Sequence, residues 1–364
     1  ALGGFDGEPA AAARAVATGR TSAPAARVVG SALRSTPEAA CFANGAAIRY
    51  LDANDQYQGA LFSGHPSDVL SAVLAAADVV GATPHAVVAA TVVGYEVFGA
   101  LAEVLPLRNR GWDQGVMVAP AAALAAGRLL GLTEAQLGEA VAIAATAYVP
   151  TRQTRTGHLS MWKGAATSAA AQGGLWAALL AREGMTGPTA AYEGEEGVWQ
   201  MVTGPFTLDH LGAMPGGLAV ERANYKAFAA EYHSQALLSQ VLAVRQQVPA
   251  DQVAAVHIQT YGYLLRNIAV GAEKWDPQTR ETADHSLPYI LAAAWVDGGF
   301  GPASLTPERI ADPALRPLMA KMTVVEHPDL TAQYPAKYVS ELEVVATDGR
   351  RVTCRTDYPK GHAG

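Results

Sequence analysis

Cysteine is scarce in this chain, and that scarcity limits the chemistry open to it. Only two of the 364 residues are cysteines, Cys41 and Cys354, and neither belongs to a Cys-x-x-Cys pair. The sequence therefore shows no ligand set typical of a structural zinc or an iron–sulfur cluster. Because no secretory signal is visible either, we expect two reduced thiols in a cytoplasmic protein.

Charged residues are also few. They make up 16% of the chain, half of the residues are hydrophobic, the formal net charge is −7, and no run of Lys and Arg exceeds two residues. A nucleic-acid-binding surface needs clustered positive charge, so we predict that nucleic acid is not a partner. The apolar content instead favours a large buried core or a substantial interface between subunits.

Long apolar runs are missing as well. A membrane-spanning helix needs about 20 consecutive, mostly apolar residues, but Tyr95 and Glu96 interrupt one apolar stretch, and Pro120 and Arg128 interrupt another. We therefore predict no membrane-spanning segment. The chain also lacks a GxGxxG or P-loop motif and shows no internal repeat, which argues against those nucleotide-binding sites and against a repeat architecture.

The first part of the chain, residues 1–221, carries alanine, valine and leucine at helical spacing throughout. The pattern Thr133-x-x-Gln136 is a capping box that marks one helix start, and Ser67 or Asp68 is expected to cap another. The predicted helices cover residues 67–80, 84–104, 116–130, 134–147 and 165–183. Because small side chains let helices approach closely, we predict a tight all-helical bundle.

The composition changes after about Glu221, where strand patterns begin to alternate with helices. Asp348 and Gly349 predict a hairpin turn between the last two strands. The predicted strands are residues 253–260, 322–326, 341–346 and 351–355, and the predicted helices are 234–248 and 286–297. We therefore predict a mainly α chain, with a large all-helical domain over residues 1–221 and a smaller α+β domain over residues 222–364.

Two carboxylates precede a glycine-rich loop that leads to a histidine. These residues are Asp52, Asp55 and His65. A carboxylate can orient an imidazole and tune its pKa, so the three residues can form an acid–base group. The alternative is that Asp52 and Asp55 are turn and capping residues without a chemical role.

Positive charges cluster just before the predicted helix at residues 165–183. Arg152, Arg155 and Lys163 are of the types that bind carboxylates, and a helix N-terminus also suits an anion. The alternative is a solvated loop, but Met161 and Trp162 argue against it, because apolar side chains there hold Lys163 near a packed interior.

Further candidates lie in the second domain. Lys226 and His233 fall near the predicted boundary, and clefts between domains are preferred ligand sites; the alternative is that Ser234 caps a helix and His233 is a satisfied core residue. His285 and Tyr289 lie one helical turn apart, so they can share a helix face.

A series of short motifs runs in order along nearly the whole chain. The motifs are Asn44-Gly45, Tyr50-Leu51-Asp52-x-Asn54-Asp55, His65-Pro66-Ser67-Asp68, Gly94-Tyr95-Glu96, Gly111-Trp112-Asp113, Arg152-Gln153-Thr154-Arg155, Leu159-Ser160-Met161-Trp162-Lys163, Gly187-Pro188, Lys226, Glu231-Tyr232-His233-Ser234-Gln235, Arg280-Glu281-Thr282-Ala283-Asp284-His285-Ser286-x-Pro288-Tyr289 and Tyr358-Pro359-Lys360-Gly361-His362. In this series the chain resembles the MmgE/PrpD family, the 2-methylcitrate dehydratases and their relatives, which include cis-aconitate decarboxylase and an iminodisuccinate epimerase.

The resemblance implies a large helical domain, a smaller α+β lid domain, a homodimer, and a site between the domains that holds no metal and no cofactor. Carried over residue by residue, it implies that the catalytic residues are Asp52, His65, Lys163, Lys226 and Tyr289. The residues expected to bind a di- or tricarboxylate substrate are Asp55, Arg152, Arg155 and His285.

The resemblance also implies a reaction, the dehydration of 2-methylcitrate to 2-methyl-cis-aconitate in propionate catabolism. A base must take a proton next to a carboxylate, an acid must protonate the leaving hydroxyl, and cations must hold the carboxylates. We expect His65, oriented by Asp52, to transfer a proton, and which of His65 and Lys163 is the base stays open. The alternatives are a decarboxylase or epimerase of a related substrate, and a catalytically silent helical binding protein.

The chain departs from the family pattern at two positions. Gln114 follows Asp113 where many relatives carry His, so the resemblance does not extend to an acid or base from this loop. Gln56 stands where the decarboxylase branch has a hydroxyl residue. The chain also starts at Ala1 without Met and lacks the family's leading segment and closing helices, so we expect an incomplete or truncated chain.

Overall fold

The computed structural model describes residues 1–20, 23–209, 211–212 and 216–363. The chain divides into two compact units, Ala1–Thr156 with Met161–Asn224, and Gly157–Ser160 with Tyr225–Gly364. The short segment Gly157–Ser160 groups with the second unit because Leu159 donates its N–H to Thr282 Oγ1 and accepts from the hydroxyl of Thr279.

The first unit is helical. Its α-helices are α1 (Glu8–Thr18), α2 (Pro37–Tyr50), α3 (Leu70–Val80), α4 (Pro84–Val104), α5 (Gly115–Leu130), α6 (Glu134–Ala147) and α7 (Trp162–Arg182). Single 3-10 turns are Leu2–Gly4, Pro66–Val69, Leu107–Arg110 and Arg152–Arg155, and Trp199–Thr203 is a π-helical turn. Helix α5 lies inside the bundle, packs against α3, α4, α6 and α7, and is buried along most of its length. Its many alanines permit this close packing.

Local start signals predicted most of these helices well. Helix α4 has the predicted bounds, and the capping box at α6 is present, with reciprocal hydrogen bonds between Thr133 and Gln136. The prediction that Ser67 or Asp68 caps a helix is wrong, because both residues lie inside the 3-10 turn Pro66–Val69, which precedes α3 and has no side-chain cap. Helix α7 begins at Trp162, earlier than predicted.

Helix α4 is the one stretch of the described residues that is long and apolar enough to cross a membrane, judged by length and composition alone. Half of its most apolar window is buried inside the protein. A buried core helix passes the same test, so this feature is weak support for a membrane span.

Two short hairpins connect the helices of the first unit. Strand β1 (Ala26–Arg27) pairs with β2 (Arg34–Ser35), and β3 (Tyr57–Gln58) pairs with β4 (Ser63–Gly64). Next to the second hairpin, Gln56 exchanges backbone hydrogen bonds with Asn224. These contacts hold the glycine-rich loop that leads to His65.

The second unit contains a four-stranded sheet. Its strands are β5 (Val253–Thr260), β6 (Met322–Glu326), β7 (Ser340–Ala346) and β8 (Arg351–Thr356), in the order β6-β5-β7-β8, with β5 and β6 parallel and the other pairs antiparallel. Its helices are α8 (Gln235–Val244), α9 (Gly262–Ile268), α10 (Ala272–Trp275), α11 (Arg280–Ala283), α12 (Leu287–Asp297), α13 (Pro307–Ile310), α14 (Arg316–Met319) and α15 (Pro328–Thr331). Helix α8 packs on β7 and β8, and α12 packs on α8. The chain is therefore mainly α, with a smaller α+β region, as predicted.

Candidate active site

His65 lies directly after the β3–β4 hairpin and before the 3-10 turn Pro66–Val69. Its Nδ1 is 2.5 Å from the backbone carbonyl oxygen of Asp55. A carbonyl can only accept a hydrogen bond, so Nδ1 carries the proton and Nε2 holds the lone pair of the neutral ring. At Nδ1 the Asp55 carbonyl orients the ring; an orienting role for Asp52 stays a prediction.

Asp52 is placed at the end of α2 in an uncommon backbone conformation. Its φ is +50°, in the left-handed region that few residues other than glycine adopt. The side chain is buried, and its Oδ1 lies 4.0 Å from Nη2 of Arg49, one turn earlier. The strained backbone thus holds the Asp52 carboxylate beside a buried guanidinium.

Asp55 fixes the local shape of the loop. Its Oδ1 accepts a hydrogen bond from the backbone N–H of Ser67 at 3.3 Å. Burial raises the pKa of Asp55, and hydrogen bonds from Ser67 and Tyr95 partly offset that rise. Since both its carbonyl and its carboxylate hold the His65 loop, Asp55 fits the turn-and-capping alternative better than a substrate-binding role.

Gln114 and Asp68 lie behind the His65 loop, and both are buried. The Oε1 of Gln114 accepts from the backbone N–H of His65 at 2.9 Å, and its Nε2 donates to Oδ2 of Asp68 at 2.9 Å. The other oxygen of Asp68 lies 3.5 Å from Nε of Arg49. A connected polar network therefore runs from the His65 peptide to Arg49.

The pKa of Asp68 is raised from 3.8 to about 6, chiefly because burial penalises the charged carboxylate. Arg49 and Arg155 oppose this rise through their charges, and Thr167 opposes it by hydrogen bonding, whereas Asp55 adds to it. The network thus contains a buried acid whose pKa is raised by burial.

Lys163 lies in the first turn of α7, and only 4% of its surface is exposed. The next residue, Gly164, lets α7 approach α2 closely, because a Cβ there would come within 3.0 Å of the Arg49 Cβ on α2. Thr167, one turn further along α7, lies against Asp68. Lys163 is therefore held on the side of α7 that faces the buried carboxylates, at the positive end of the helix dipole.

Arg155 is anchored by a carboxylate. Its Nε pairs with Oδ2 of Asp113, and Asp113 is fully buried and receives a hydrogen bond from the N–H of Gly115 at 3.3 Å. The Nη2 of Arg155 has no hydrogen-bond partner among the described residues. Arg155 is thus oriented through one side of its guanidinium, and the charges of Asp68 and Asp52 also act on it. Arg152, three residues earlier, is half-buried, and its backbone N–H donates to Gly111.

In the second unit, Lys226 lies at the start of a loop whose backbone is hydrogen-bonded to the side chain of Gln235. The Oε1 of Gln235 accepts from the backbone N–H groups of Ala227 and Phe228, and its Nε2 donates to the carbonyls of Phe228 and Ala230. The loop after Lys226 therefore has a defined course.

His285 is paired with a buried carboxylate. Its Nδ1 lies 2.7 Å from Oδ1 of Asp284, and Arg280 Nη1 lies 3.6 Å from the other oxygen. Because the carboxylate accepts, the neutral ring again has its lone pair on Nε2. Aspartate and histidine are also residue types that serve as metal ligands.

Two predictions for the second unit need correction. Tyr289 is fully buried in the core, where its hydroxyl donates to the carbonyl of Ser304, and burial raises its pKa to about 12. It does not share a helix face with His285, because α12 begins only at Leu287. Ser234 lies at the N-cap position of α8 but makes no side-chain capping hydrogen bond there; its hydroxyl donates to the carbonyl of Glu231.

His233 fits the reading of a satisfied core residue. Its Nδ1 lies 2.5 Å from the hydroxyl of Tyr261, and its N–H donates to Glu231 Oε2 at 2.7 Å. Its ring packs against Tyr263, which is partly buried, and against the buried Tyr338.

Comparison with known proteins identifies the class and then the family. Residues 1–211 match the MmgE/PrpD N-terminal domain, and residues 228–364 match the MmgE/PrpD C-terminal domain. The 2-methylcitrate dehydratase of Cupriavidus necator is 31% identical over 93% of this chain and 73% of its own length, and that of Salmonella typhimurium is 29% identical over 93% and 74%. The human cis-aconitate decarboxylase is 27% identical over 91% and 70%.

These matches define an enzyme of the dehydratase, or lyase, class. The chain belongs to the MmgE/PrpD family, and the resemblance drawn from its motifs is confirmed.

Proposed function

We propose that this enzyme removes water from 2-methylcitrate to form 2-methyl-cis-aconitate. The observation that carries the proposal is the fixed tautomer of His65, whose Nδ1–H binds the Asp55 carbonyl and leaves the lone pair on Nε2. The same unit carries the buried cation Lys163 and the anchored Arg155. Relatives named 2-methylcitrate dehydratase support the choice of substrate.

The reaction needs a base and an acid. We assign His65 Nε2 as the base that takes the proton from the carbon next to a carboxylate. The electron pair of that C–H bond becomes the new C=C bond, and the C–O bond of the hydroxyl breaks. Lys163 is the proposed acid that protonates the leaving oxygen, so that water departs.

The substrate carries several negative charges, and the proposed enzyme meets them with cations. Arg155 and Arg152 of the first unit are proposed to hold its carboxylates. Their charge stabilises the enolate-like anion that forms when the proton leaves. Because arginine can donate two parallel hydrogen bonds to a carboxylate, it orients the substrate as well as attracting it.

A second candidate is a decarboxylase acting on a related tricarboxylate, which the likeness to cis-aconitate decarboxylase favours. An epimerase is a third possibility on the same scaffold. All three reactions pass through negative charge next to a carboxylate, so the same cations and His65 can serve each of them. The reading as a catalytically silent binding protein is set aside, because the family relatives are enzymes.

We also propose a cytoplasmic homodimer that needs no metal. The high apolar content of the chain and the family resemblance support the dimer. Light scattering coupled to size-exclusion chromatography measures the mass in solution and tests this part of the proposal.

Product analysis tests the proposed reaction. Purified enzyme is incubated with 2-methylcitrate, with citrate and with cis-aconitate, before and after exhaustive chelation. We expect ultraviolet-absorbing alkene from 2-methylcitrate, unchanged by the chelator. Released carbon dioxide identifies the decarboxylase instead, inversion without alkene identifies the epimerase, and loss of activity on chelation contradicts the metal-free mechanism.

A further inference from the structure

The side chain of Gln114 bridges two groups that lie far apart in the sequence. It accepts from the backbone N–H of His65 and donates to the carboxylate of Asp68, each at 2.9 Å, and only 3% of the glutamine is exposed. His65 is therefore held at two points, at its ring by the Asp55 carbonyl and at its peptide N–H by Gln114.

The direction of the bridge follows from hydrogen-bond chemistry. A backbone N–H can only donate, so the amide oxygen of Gln114 must face His65. The amide NH₂ must then face Asp68, which has to accept. Arg49 favours the accepting, ionised form, because its Nε lies 3.5 Å from the second oxygen of Asp68.

The neighbouring residue makes room for the bridge. A Cβ at Gly64 collides with Oε1 of Gln114 and comes within 2.8 Å of the Phe98 ring. Gly64 has no positive φ, so the absence of a side chain is what this position requires. Gly64 and Gln114 are therefore sterically matched: the glycine leaves the space that the glutamine side chain occupies.

We propose that Gln114, oriented by Asp68, is a positioning residue that sets the place of His65 for proton transfer. The inference rests on the proposed role of His65 in the dehydration. Gln114 itself touches no reacting atom in this account. Its loss lets the His65 peptide shift, and a shift of about 1 Å in a reacting group can cost on the order of 10²-fold in rate.

Exchanging the amide of Gln114 with the carboxylate of Asp68 tests the hydrogen-bond bridge between them. Gln114→Glu places a second acceptor against Asp68, so kcat is expected to fall on the order of 10²-fold, with KM close to the wild-type value because the cations that bind substrate are untouched. The double variant Gln114→Glu with Asp68→Asn restores a donor opposite an acceptor and keeps one negative charge near Arg49. We expect it to recover most of the lost kcat.

A second readout needs no substrate. Gln114→Ala removes the acceptor of the His65 N–H, so hydrogen–deuterium exchange at that amide is expected to accelerate while the melting temperature stays well above the assay temperature. The matched control is Gln240→Ala, which removes a buried glutamine of the second unit that donates to Ser340 and Thr356. It should lower the melting temperature without changing kcat.

The two readouts separate this inference from the proposed function. The change in kcat is measured on whichever reaction the wild-type enzyme performs in the product analysis, so a different product overturns the proposed substrate and not the positioning role. Wild-type kcat in Gln114→Glu, no recovery in the double variant, or unchanged exchange at His65 in Gln114→Ala each overturns the positioning role.

Discussion

The Nε of Arg49 lies 3.5 Å from Oδ1 of Asp68, and both side chains are almost wholly buried, at 2% and 1% exposure. The same guanidinium reaches Asp52 at 4.0 Å. One arginine thus serves two carboxylates of the candidate site. A buried charge without its partner is costly, so Arg49 is a stability determinant of the site as well as an electrostatic one.

Replacing Arg49 is expected to destabilise the first unit. Arg49→Met removes a buried cation that pairs with Asp52 and Asp68, and breaking such a buried pair costs about 3–5 kcal/mol. Chemical denaturation measures the change. The control is Arg27→Met, which breaks the surface pair with Asp78, where the arginine side chain is 68% exposed; that loss should stay at or below about 1 kcal/mol. Equal effects of the two substitutions contradict the assignment.

The stability of the protein should depend on pH through Asp68. Its pKa is raised from 3.8 to about 6 by burial, so the folded state holds the proton more tightly than the unfolded chain does. The stabilisation from this proton is complete below the unfolded pKa and is lost as the pH rises through about 6.

The variant Asp68→Asn isolates that contribution, because asparagine does not titrate and the other buried acids, including Asp55, remain in both proteins. The unfolding free energy of the wild type minus that of the variant should fall as the pH rises through this window. Denaturant titrations at several pH values measure the difference. A pH-independent difference shows that Asp68 keeps an ordinary pKa.

A methyl group at Gly64 should displace the Gln114 side chain. Gly64→Ala places a Cβ against Oε1 of Gln114, so turnover is expected to fall as it does when Gln114 is altered. The matched control is Gly138→Ala on helix α6, where a Cβ meets nothing within 4 Å. The control should stabilise the helix by about 0.5–1 kcal/mol and leave turnover unchanged. Wild-type turnover in Gly64→Ala argues that the bridge is not needed.

Tyr289 should contribute to stability and not to chemistry. Tyr289→Phe removes the donor to the Ser304 carbonyl in the core, which leaves a buried acceptor unsatisfied at a cost of about 1–3 kcal/mol. The turnover of the folded variant should match the wild type. A large loss of kcat in a protein that melts normally restores the catalytic role first predicted for this tyrosine.

Local signals explain what the sequence predicted correctly. The capping box at Thr133 and the proline at Pro84 mark helix starts through contacts within a few residues. The hairpin between β7 and β8 follows from the turn residues between the strands. Such features need no knowledge of the rest of the fold.

The parts that sequence analysis missed depend on long-range contacts. Gln114 reaches His65 and Asp68 across more than 40 residues of chain, and Arg49 lies within an alanine-rich helix, where a lone charge was the only signal available. The prediction that Tyr289 shares a helix face with His285 was wrong for a related reason, since it depends on where α12 begins. Residue spacing alone does not show at which residue the helix begins.

The most direct test of the account is the turnover of His65→Asn with 2-methylcitrate. Asparagine keeps a donor for the Asp55 carbonyl but has no basic nitrogen in place of Nε2, so kcat should fall on the order of 10² to 10⁴ while the fold is preserved. His257→Asn, an exposed histidine on strand β5, should keep full turnover. Near-wild-type alkene formation by a folded His65→Asn protein contradicts the central claim that His65 transfers the proton.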